Sequence, residues 1–454
     1  MQQMDIEINR DIMADMISWK DKRRRKPLIL QGARQVGKSW LLRKFGSTQF
    51  ENYVVVNIDR ETGIRSIFER TKEPGRIIEQ ISLIKGQPIM PGRTLLIFDE
   101  IQDSDEVLNS LKYFHEDAPE YAVACAGSLL GVAMRSRNRS FPVGQVDFMT
   151  VYPLSFSEFL DAVDARLGRI ARTWDCATPI PGIVLDELQE KLKLYMVIGG
   201  MPEAVADWLD TKDIATVDET LDGILQSYPL DFSKYATPAE MMRIHQVWNS
   251  MQRQLAKDNK RFKYADVQKG GRAREYETAV DWLCKAGLVH KVRNVETPLL
   301  PLKAYASESA FKLYVNDIGL LRRIFNLNGS PVLQGDRLFR EFKGIMSENF
   351  VLLSLLRQQP VYTPLDSGQT FYWTSGNQAE VEFVIDCGGN VVPVEVKSGC
   401  SVRAKSLGVY RNTYNPALAV RLSLLNMQLR DGLLDLPLPL ADRLMEFAGN
   451  THQR

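Results

Sequence analysis

Residues Gly32-Ala33-Arg34-Gln35-Val36-Gly37-Lys38-Ser39 satisfy the pattern G-x-x-x-x-G-K-[ST] in full. Glycines at those positions let successive backbone N–H groups turn toward one anion, and a following helix adds the positive end of its dipole. Lys38 can reach β- and γ-phosphate oxygens, and the Ser39 hydroxyl can ligate Mg²⁺ between them. A second set is Thr94-Leu95-Leu96-Ile97-Phe98-Asp99-Glu100, an apolar run that ends in two acids. Asp99 would reach Mg²⁺ directly or through water, and Glu100 would polarise a water against the γ-phosphate. The two sets together describe a nucleotide site for ATP and ADP, with Mg²⁺ as cofactor.

The C-terminal third carries another set. Phe339 to Leu356 reads as a helix with Glu348 near its middle, followed by strands over 370–374, 379–386 and 391–397. With a period of two, Glu395 and Lys397 share one face of the last strand. The turn Cys387-Gly388-Gly389-Asn390 folds the last two strands into an antiparallel hairpin, so Glu382 can meet them. Two carboxylates on a divalent metal, Mg²⁺ or Mn²⁺, with a lysine beside the attacking water, are what phosphodiester hydrolysis needs. The same charges also suit a solvated strand face or a docking module. Residues 330–454 hold 12 Lys/Arg against 12 Asp/Glu, whereas a DNA-cleaving surface is more often basic.

These residues need elements to hold them. Pro27 to Gln31 reads as a short apolar strand before the glycine loop. Ser39 to Phe45 reads as an amphipathic helix after it, with Leu41 and Leu42 inward and Arg43 and Lys44 outward. The run 94–99 reads as a strand buried on both faces. Further strands are expected near 53–58, 121–126 and 146–152, giving an α/β nucleotide domain over 23–160.

From here the chain resembles a family. Asp99-Glu100-Ile101-Gln102 and Ala122-Val123-Ala124-Cys125-Ala126-Gly127-Ser128 resemble the AAA+ ATPase superfamily. That resemblance makes Ser128 the sensor that touches the attacking water or γ-phosphate. Tyr152-Pro153-Leu154-Ser155-Phe156-Ser157-Glu158-Phe159 and Gly199-Gly200-Met201-Pro202-Glu203 extend it nearly end to end. They are similar to a group of bacterial and archaeal ATP-binding proteins whose C-terminal domain resembles PD-(D/E)XK nucleases. The resemblance implies a metal set of Glu348, Glu382 and Glu395, with Lys397 catalytic. Glu382 departs from the aspartate usual there. Gln145, in Pro142-Val143-Gly144-Gln145-Val146, stands where a basic residue is common; Arg135, Arg137 and Arg139 lie just upstream as substitutes, from the same subunit or a neighbour.

At 454 residues the chain is long enough for three domains, each with its own core. Its 44% apolar and 25% charged content is ordinary for a globular protein, and a net charge of +1 excludes a polyelectrolyte binder as a whole. Five scattered cysteines fit a reducing, cytoplasmic setting. Asp5, Glu7, Asp11 and Asp15 break any signal peptide, and no apolar run approaches the roughly 20 residues that cross a bilayer, so no membrane partner is expected.

The expected order is an N-terminal helix (1–22), the P-loop AAA+ domain (23–160), a linker and helical lid (161–235), a winged-helix domain (236–325) and an α/β restriction-endonuclease-like domain (326–454). The fourth holds 16 Lys/Arg against 9 Asp/Glu, concentrated between Lys257 and Arg274. Such a winged helix either meets DNA phosphates or serves packing and protein contact. Two functions follow: an ATPase acting on DNA, or a slow nucleotide switch that holds a protein partner or self-associates.

Overall fold

Residues 7–132, 144–175, 178–257, 260–333, 337–362, 369–376, 379–399 and 405–452 are described by a computed structural model. Its first sheet contains β1 (Leu28–Gln31), β2 (Asn52–Asn57), β3 (Thr94–Asp99), β4 (Ala122–Ala126) and β5 (Asp147–Thr150). All neighbours are parallel, in the order β2-β3-β4-β1-β5. Because β4 lies between β1 and β3, the carboxyl ends of these three strands stand side by side. Whatever follows each strand is therefore delivered to one edge of the sheet.

The alternation within β3 explains why it reads as continuously apolar. Leu95 and Ile97 join the core on one face with Leu28, Leu30 and Leu41. Leu96 and Phe98 join the other with Ile29, Val54 and Phe68. Helices cover both faces, and the helix Lys38–Gln49 buries Leu41, Leu42 and Phe45 while Arg43 faces water.

Two segments differ from expectation. Of the N-terminal helix expected over 1–22, residues 1–6 lie outside the described residues, and among the described ones the helix spans Ile12–Lys20. Before it the chain is held in another shape, because Arg10 donates to Val36 O (3.1 Å) and Tyr152 O (2.6 Å) and Asp11 N donates to Glu158 (2.7 Å). The start of the expected linker contains the helix Ala165–Thr173, N-capped by Asp164 and anchored by buried Leu167 and Ala171. Nine residues long, it left too short a periodic signal to read.

The lid helices are Gly182–Ile198, Pro202–Thr211 and Ile214–Tyr235. Next come the helix Pro238–Leu255, a 3₁₀ turn at Tyr264–Asp266, the helix Ala273–Lys285 and an antiparallel hairpin of β6 (Val289–Val295) and β7 (Ala306–Val315). This hairpin does not stand alone. β6 also pairs in parallel with β8 (Thr370–Thr374). With β9 (Glu380–Cys387), β10 (Asn390–Val396), β11 (Ala419–Ser423), β12 (Gln428–Arg430) and β13 (Leu433–Pro437) it forms one sheet, ordered β12-β13-β11-β10-β9-β8-β6-β7. A single sheet thus crosses residue 325, and the helix Arg337–Arg357 packs on it against β7, β8 and β10.

Separate cores were also expected. Instead one apolar cluster runs from Leu28 through Tyr195 and Val280 to Phe447. Buried polar groups stitch the same junction. Asp317 accepts from Gly200 N (2.6 Å) and caps Leu320 N (2.9 Å), and the fully buried Arg322 donates to Val197 O (2.9 Å) and meets Asp218. Among the described residues, no helix is long and apolar enough to cross a membrane.

Candidate functional site

The loop between β1 and the helix Lys38–Gln49 is shaped by its glycines. Gly32 has φ +141°, and a Cβ there would lie 2.2 Å from Val151 O. Gly37 takes the left-handed N-cap position at φ 90°. The residue between them, Gln35, is also left-handed (φ 61°), as are Glu100 (φ 54°) and Leu129 (φ 58°), which follow β3 and β4. Left-handed non-glycine residues cost energy and gather where function over-determines the backbone. Three of them at the ends of three adjacent strands mark this edge.

The side chains converge there. Lys38 is buried and donates to the loop carbonyls of Gly32 (3.0 Å) and Ala33 (2.5 Å). Burial pulls its ammonium down to about 8, against the attraction of Glu100 and Asp99. Ser39 Oγ donates to Asp99 Oδ1 at 2.8 Å. Asp99 is raised above the usual carboxylate range, first by burial. Glu100 Oε2 accepts from Ser128 Oγ (3.2 Å) and from Gln102 Nε2 (2.5 Å). These groups line a cleft of about 400 Å³ with Arg34, Gln35, Gly37, Trp40, Gly127 and Ser227. That volume lies within the range of small-molecule sites.

Sequence reasoning missed several supports. Arg10 holds the loop from below through Val36 O and pairs with Glu158 (3.1 Å). Glu158 also closes a capping box with Ser155, so the Tyr152–Phe159 motif is a clamp on the N-terminal segment. The Gly199–Glu203 motif packs on that clamp, since Leu154 N donates to Gly200 O at 2.7 Å. Asp231, from the lid helix Ile214–Tyr235, forms an ion pair with Arg34. Arg10 and Asp231 lie 26 and 197 residues from their loop partners, distances that no local pattern spans. Gln145 meets the His115 ring. Arg135, Arg137 and Arg139 lie outside the described residues.

The C-terminal acids are brought to one place. The β9–β10 register runs from Asn390↔Cys387 to Val394↔Phe383, so Glu395 and Glu382 fall opposite each other one step on. Lys397 contacts Glu395 and lies 3.9 Å from Glu382. Glu382 Oε2 accepts from Val396 N at 3.1 Å. Glu348 comes in from the helix Arg337–Arg357, accepts from Tyr314 OH (3.5 Å) and pairs with Lys260. Lys312 pairs with the neighbouring Glu380. Burial and the charges of Glu395 and Glu348 push Glu382 well up, so it tends to the neutral acid. Burial would also raise Glu348, but Lys260 and Lys312 hold it below the usual range.

This donor set is a poor fit to a metal. Glu395 Oε2 is buried without a hydrogen-bond partner, which would suit a cation. Yet Lys260 and Lys397 already neutralise the two carboxylates that would ligate it. Among the described residues, no group of three or more His, Cys, Asp or Glu is arranged to hold a metal ion. The expected second Mg²⁺ or Mn²⁺ on Glu348, Glu382 and Glu395 is therefore not supported: the lysines take the cation's place.

In the basic segment, Lys257, Arg261, Lys263, Lys269, Arg272 and Arg274 are exposed, and Lys257 is paired with Asp266 at 2.7 Å. Lys260 differs, being turned inward onto Glu348.

Comparison with known proteins agrees with the first site. Residues 24–160 match the family model described as an AAA domain. The matched segment holds all of β1–β5 and the convergent residues Lys38, Ser39, Asp99, Glu100 and Ser128. Residues 189–330 and 343–441 match two domains of unknown function, DUF8612 and DUF4143. No curated protein matches the sequence. Among solved structures, the Walker-type ATPase paby2304 of Pyrococcus abyssi is 15% identical with a TM-score of 0.43, over 71% of this chain and 96% of that one. The Aeropyrum pernix ORC1 protein, solved in complex with DNA, is 12% identical with a TM-score of 0.28, over 73% and 94%. The Thermotoga maritima RuvB Holliday junction branch migration motor is 13% identical with a TM-score of 0.29, over 64% and 90%. Likeness this remote says nothing of substrate or partner.

Proposed function

We propose that the chain is a Mg²⁺-dependent ATPase whose nucleotide state is passed through the helical lid to a basic, winged-helix-like module that acts on DNA. The observation that carries this reading is the convergence of Lys38, Ser39, Asp99, Glu100 and Ser128 at the ends of three adjacent strands. Ser39 Oγ and Asp99 Oδ1, 2.8 Å apart, are the oxygens that would hold Mg²⁺, directly or through water; they fit it, because Mg²⁺ takes few protein ligands beside phosphate and water. When bound, the ion neutralises charge on the phosphates. Lys38 leaves the loop carbonyls for the β- and γ-phosphates. Ser128 and Gln102 both bond Oε2 of Glu100, which fixes the carboxylate and leaves Oε1 to accept the proton of the attacking water. Six exposed basic residues between Lys257 and Arg274 supply the phosphate contacts for DNA.

Turnover measured with and without DNA tests this reading. Stimulation by DNA supports it; slow hydrolysis indifferent to DNA supports a switch that holds a protein partner. The lysine-neutralised carboxylates favour that second reading for the nuclease-like C-terminal domain alone, as a docking module that does not cleave.

A further inference from the structure

We propose that Arg34 reads the γ-phosphate, exchanging Asp231 of the lid for the nucleotide and so telling the basic module whether ATP or ADP is bound. The inference rests on the nucleotide-site reading above. Arg34 lies inside the phosphate loop and lines the cleft with Lys38, Glu100 and Ser128. Its Nε donates to Ser128 Oγ at 3.4 Å, and Ser128 in turn donates to Glu100 at 3.2 Å. Its Nη1 is held by Asp231, whose side chain is 7% exposed. The guanidinium therefore stands between the group that senses the terminal phosphate and a carboxylate on the lid.

These two anions compete. A γ-phosphate carries more charge than one carboxylate and accepts forked hydrogen bonds from a guanidinium. It would lie beside Ser128 and Glu100, within reach of the Nε that already bonds Ser128. ADP brings no group to that point, so it leaves the Arg34–Asp231 pair in place. Arg34 thus changes partner with ATP alone.

The lid helix is built to respond. Pro229 lies within Ile214–Tyr235 and cannot donate an N–H to the carbonyl four residues back. The helix is weakened between Ser227, which lines the cleft, and Asp231, which holds Arg34. One residue beyond, the Phe232 ring lies 5.1 Å from His245 and 5.1 Å from Trp282. Those two rings belong to the helices Pro238–Leu255 and Ala273–Lys285, which flank the basic segment. Release of Asp231 removes an ion pair that ties the lid helix to the loop, one residue from the point where Phe232 packs on that module.

The test compares binding of ADP and of a non-hydrolysed ATP analogue, with Mg²⁺, to the full chain and to Arg34→Ala, Arg34→Lys and Asp231→Asn. Removing the competitor in Asp231→Asn should tighten analogue binding several-fold and leave ADP binding as in the parent. Arg34→Ala should lower the preference for analogue over ADP by about tenfold or more, the scale of a charge-assisted hydrogen bond; Arg34→Lys should restore part of it. In the parent, amide exchange over 230–235 should speed up with the analogue and not with ADP. An equal loss for both nucleotides in Arg34→Ala, unchanged analogue binding in Asp231→Asn, or identical exchange in both nucleotide states would each overturn the proposal. The exchange measurement needs no variant, so it decides even if a substitution unfolds the protein. A parent that binds neither nucleotide would overturn the nucleotide-site reading itself.

Discussion

Lys38 gives a prediction whose size follows from the structure. In the nucleotide-free protein, burial lowers its ammonium from 10.5 to about 8. A bound polyphosphate sets several negative charges beside the same nitrogen and raises its pKa, so the bound form keeps the proton well above that value. Where the free protein has lost the proton, binding must take one up, and affinity falls as pH rises. The factor is one plus the ratio of neutral to charged Lys38. Between about pH 7.5 and about pH 9 it grows by about eightfold, or ~1.3 kcal/mol. Titration calorimetry of a non-hydrolysed ATP analogue, in buffers of different protonation enthalpy, should find proton uptake rising toward about 0.9 per site at about pH 9. Lys38→Arg should flatten the trend, since arginine stays charged, even if it also binds more weakly. The linked effect on folding has the same origin. A depressed Lys38 contributes stability that is fully present above 10.5 and is lost as pH falls through about 8. Flat affinity with no proton uptake in the parent would refute the burial argument.

Glu100→Gln should bind ATP as the parent does and hydrolyse it about a hundredfold more slowly, because an amide is no base; Asp99→Asn should instead weaken Mg²⁺-dependent binding, and parent turnover in both would show the β3 edge to be misread. Reversing Lys257, Lys263, Lys269 and Arg272 together should weaken DNA binding and flatten its dependence on salt, since fewer counterions are released; filter binding across a salt series checks it, and an unchanged slope would leave the module to protein contact. Lys260→Ala should lower stability by up to about 3–5 kcal/mol, because buried Glu348 would lose its ion-pair partner beside Glu382 and Glu395 and keep only the charges of Lys312 and Lys397; denaturant unfolding measures this, and a loss below about 1 kcal/mol would mean that water and those lysines replace Lys260 freely.

Local chemistry was the legible part. β3 could be placed because a strand buried on both faces leaves an unbroken apolar run, and its acids because they end that run. The β9–β10 register followed from period two and a tight turn, both confined to a few residues. The helix Ala165–Thr173 was hidden by its shortness. Long-range pairings were invisible for a different reason: periodicity says which face is buried, not what covers it. Nothing near Lys260 announces that it turns inward while Lys257 and Lys263 face water. Nothing near Asp231 announces an arginine 197 residues earlier. The shared core was hidden likewise, since an apolar face looks the same whether it closes its own domain or meets the next.

That shared core bears on how a nucleotide could act at a distance. Domains joined by a thin linker can move without feeling one another. Here apolar packing runs unbroken from the AAA domain to Phe447, and the junction is held by buried Asp317 and Arg322. Such an interior resists gradual deformation and favours a switch between discrete arrangements. The movable part must then be where packing is thin and ion pairs can trade partners. The end of the lid helix beyond Pro229 offers such an ion pair, that of Asp231 with Arg34 of the loop, while Phe232 beside it stays in the apolar core. Lys260 and Glu348 form a second tether, between the basic segment and the helix Arg337–Arg357 that packs on the C-terminal sheet. A displacement of the lid end would have to pass through Phe232 into the helices that flank this segment. The two tethers divide the work: one can be released by a terminal phosphate, and the other keeps the basic segment fixed to the sheet as its neighbour moves.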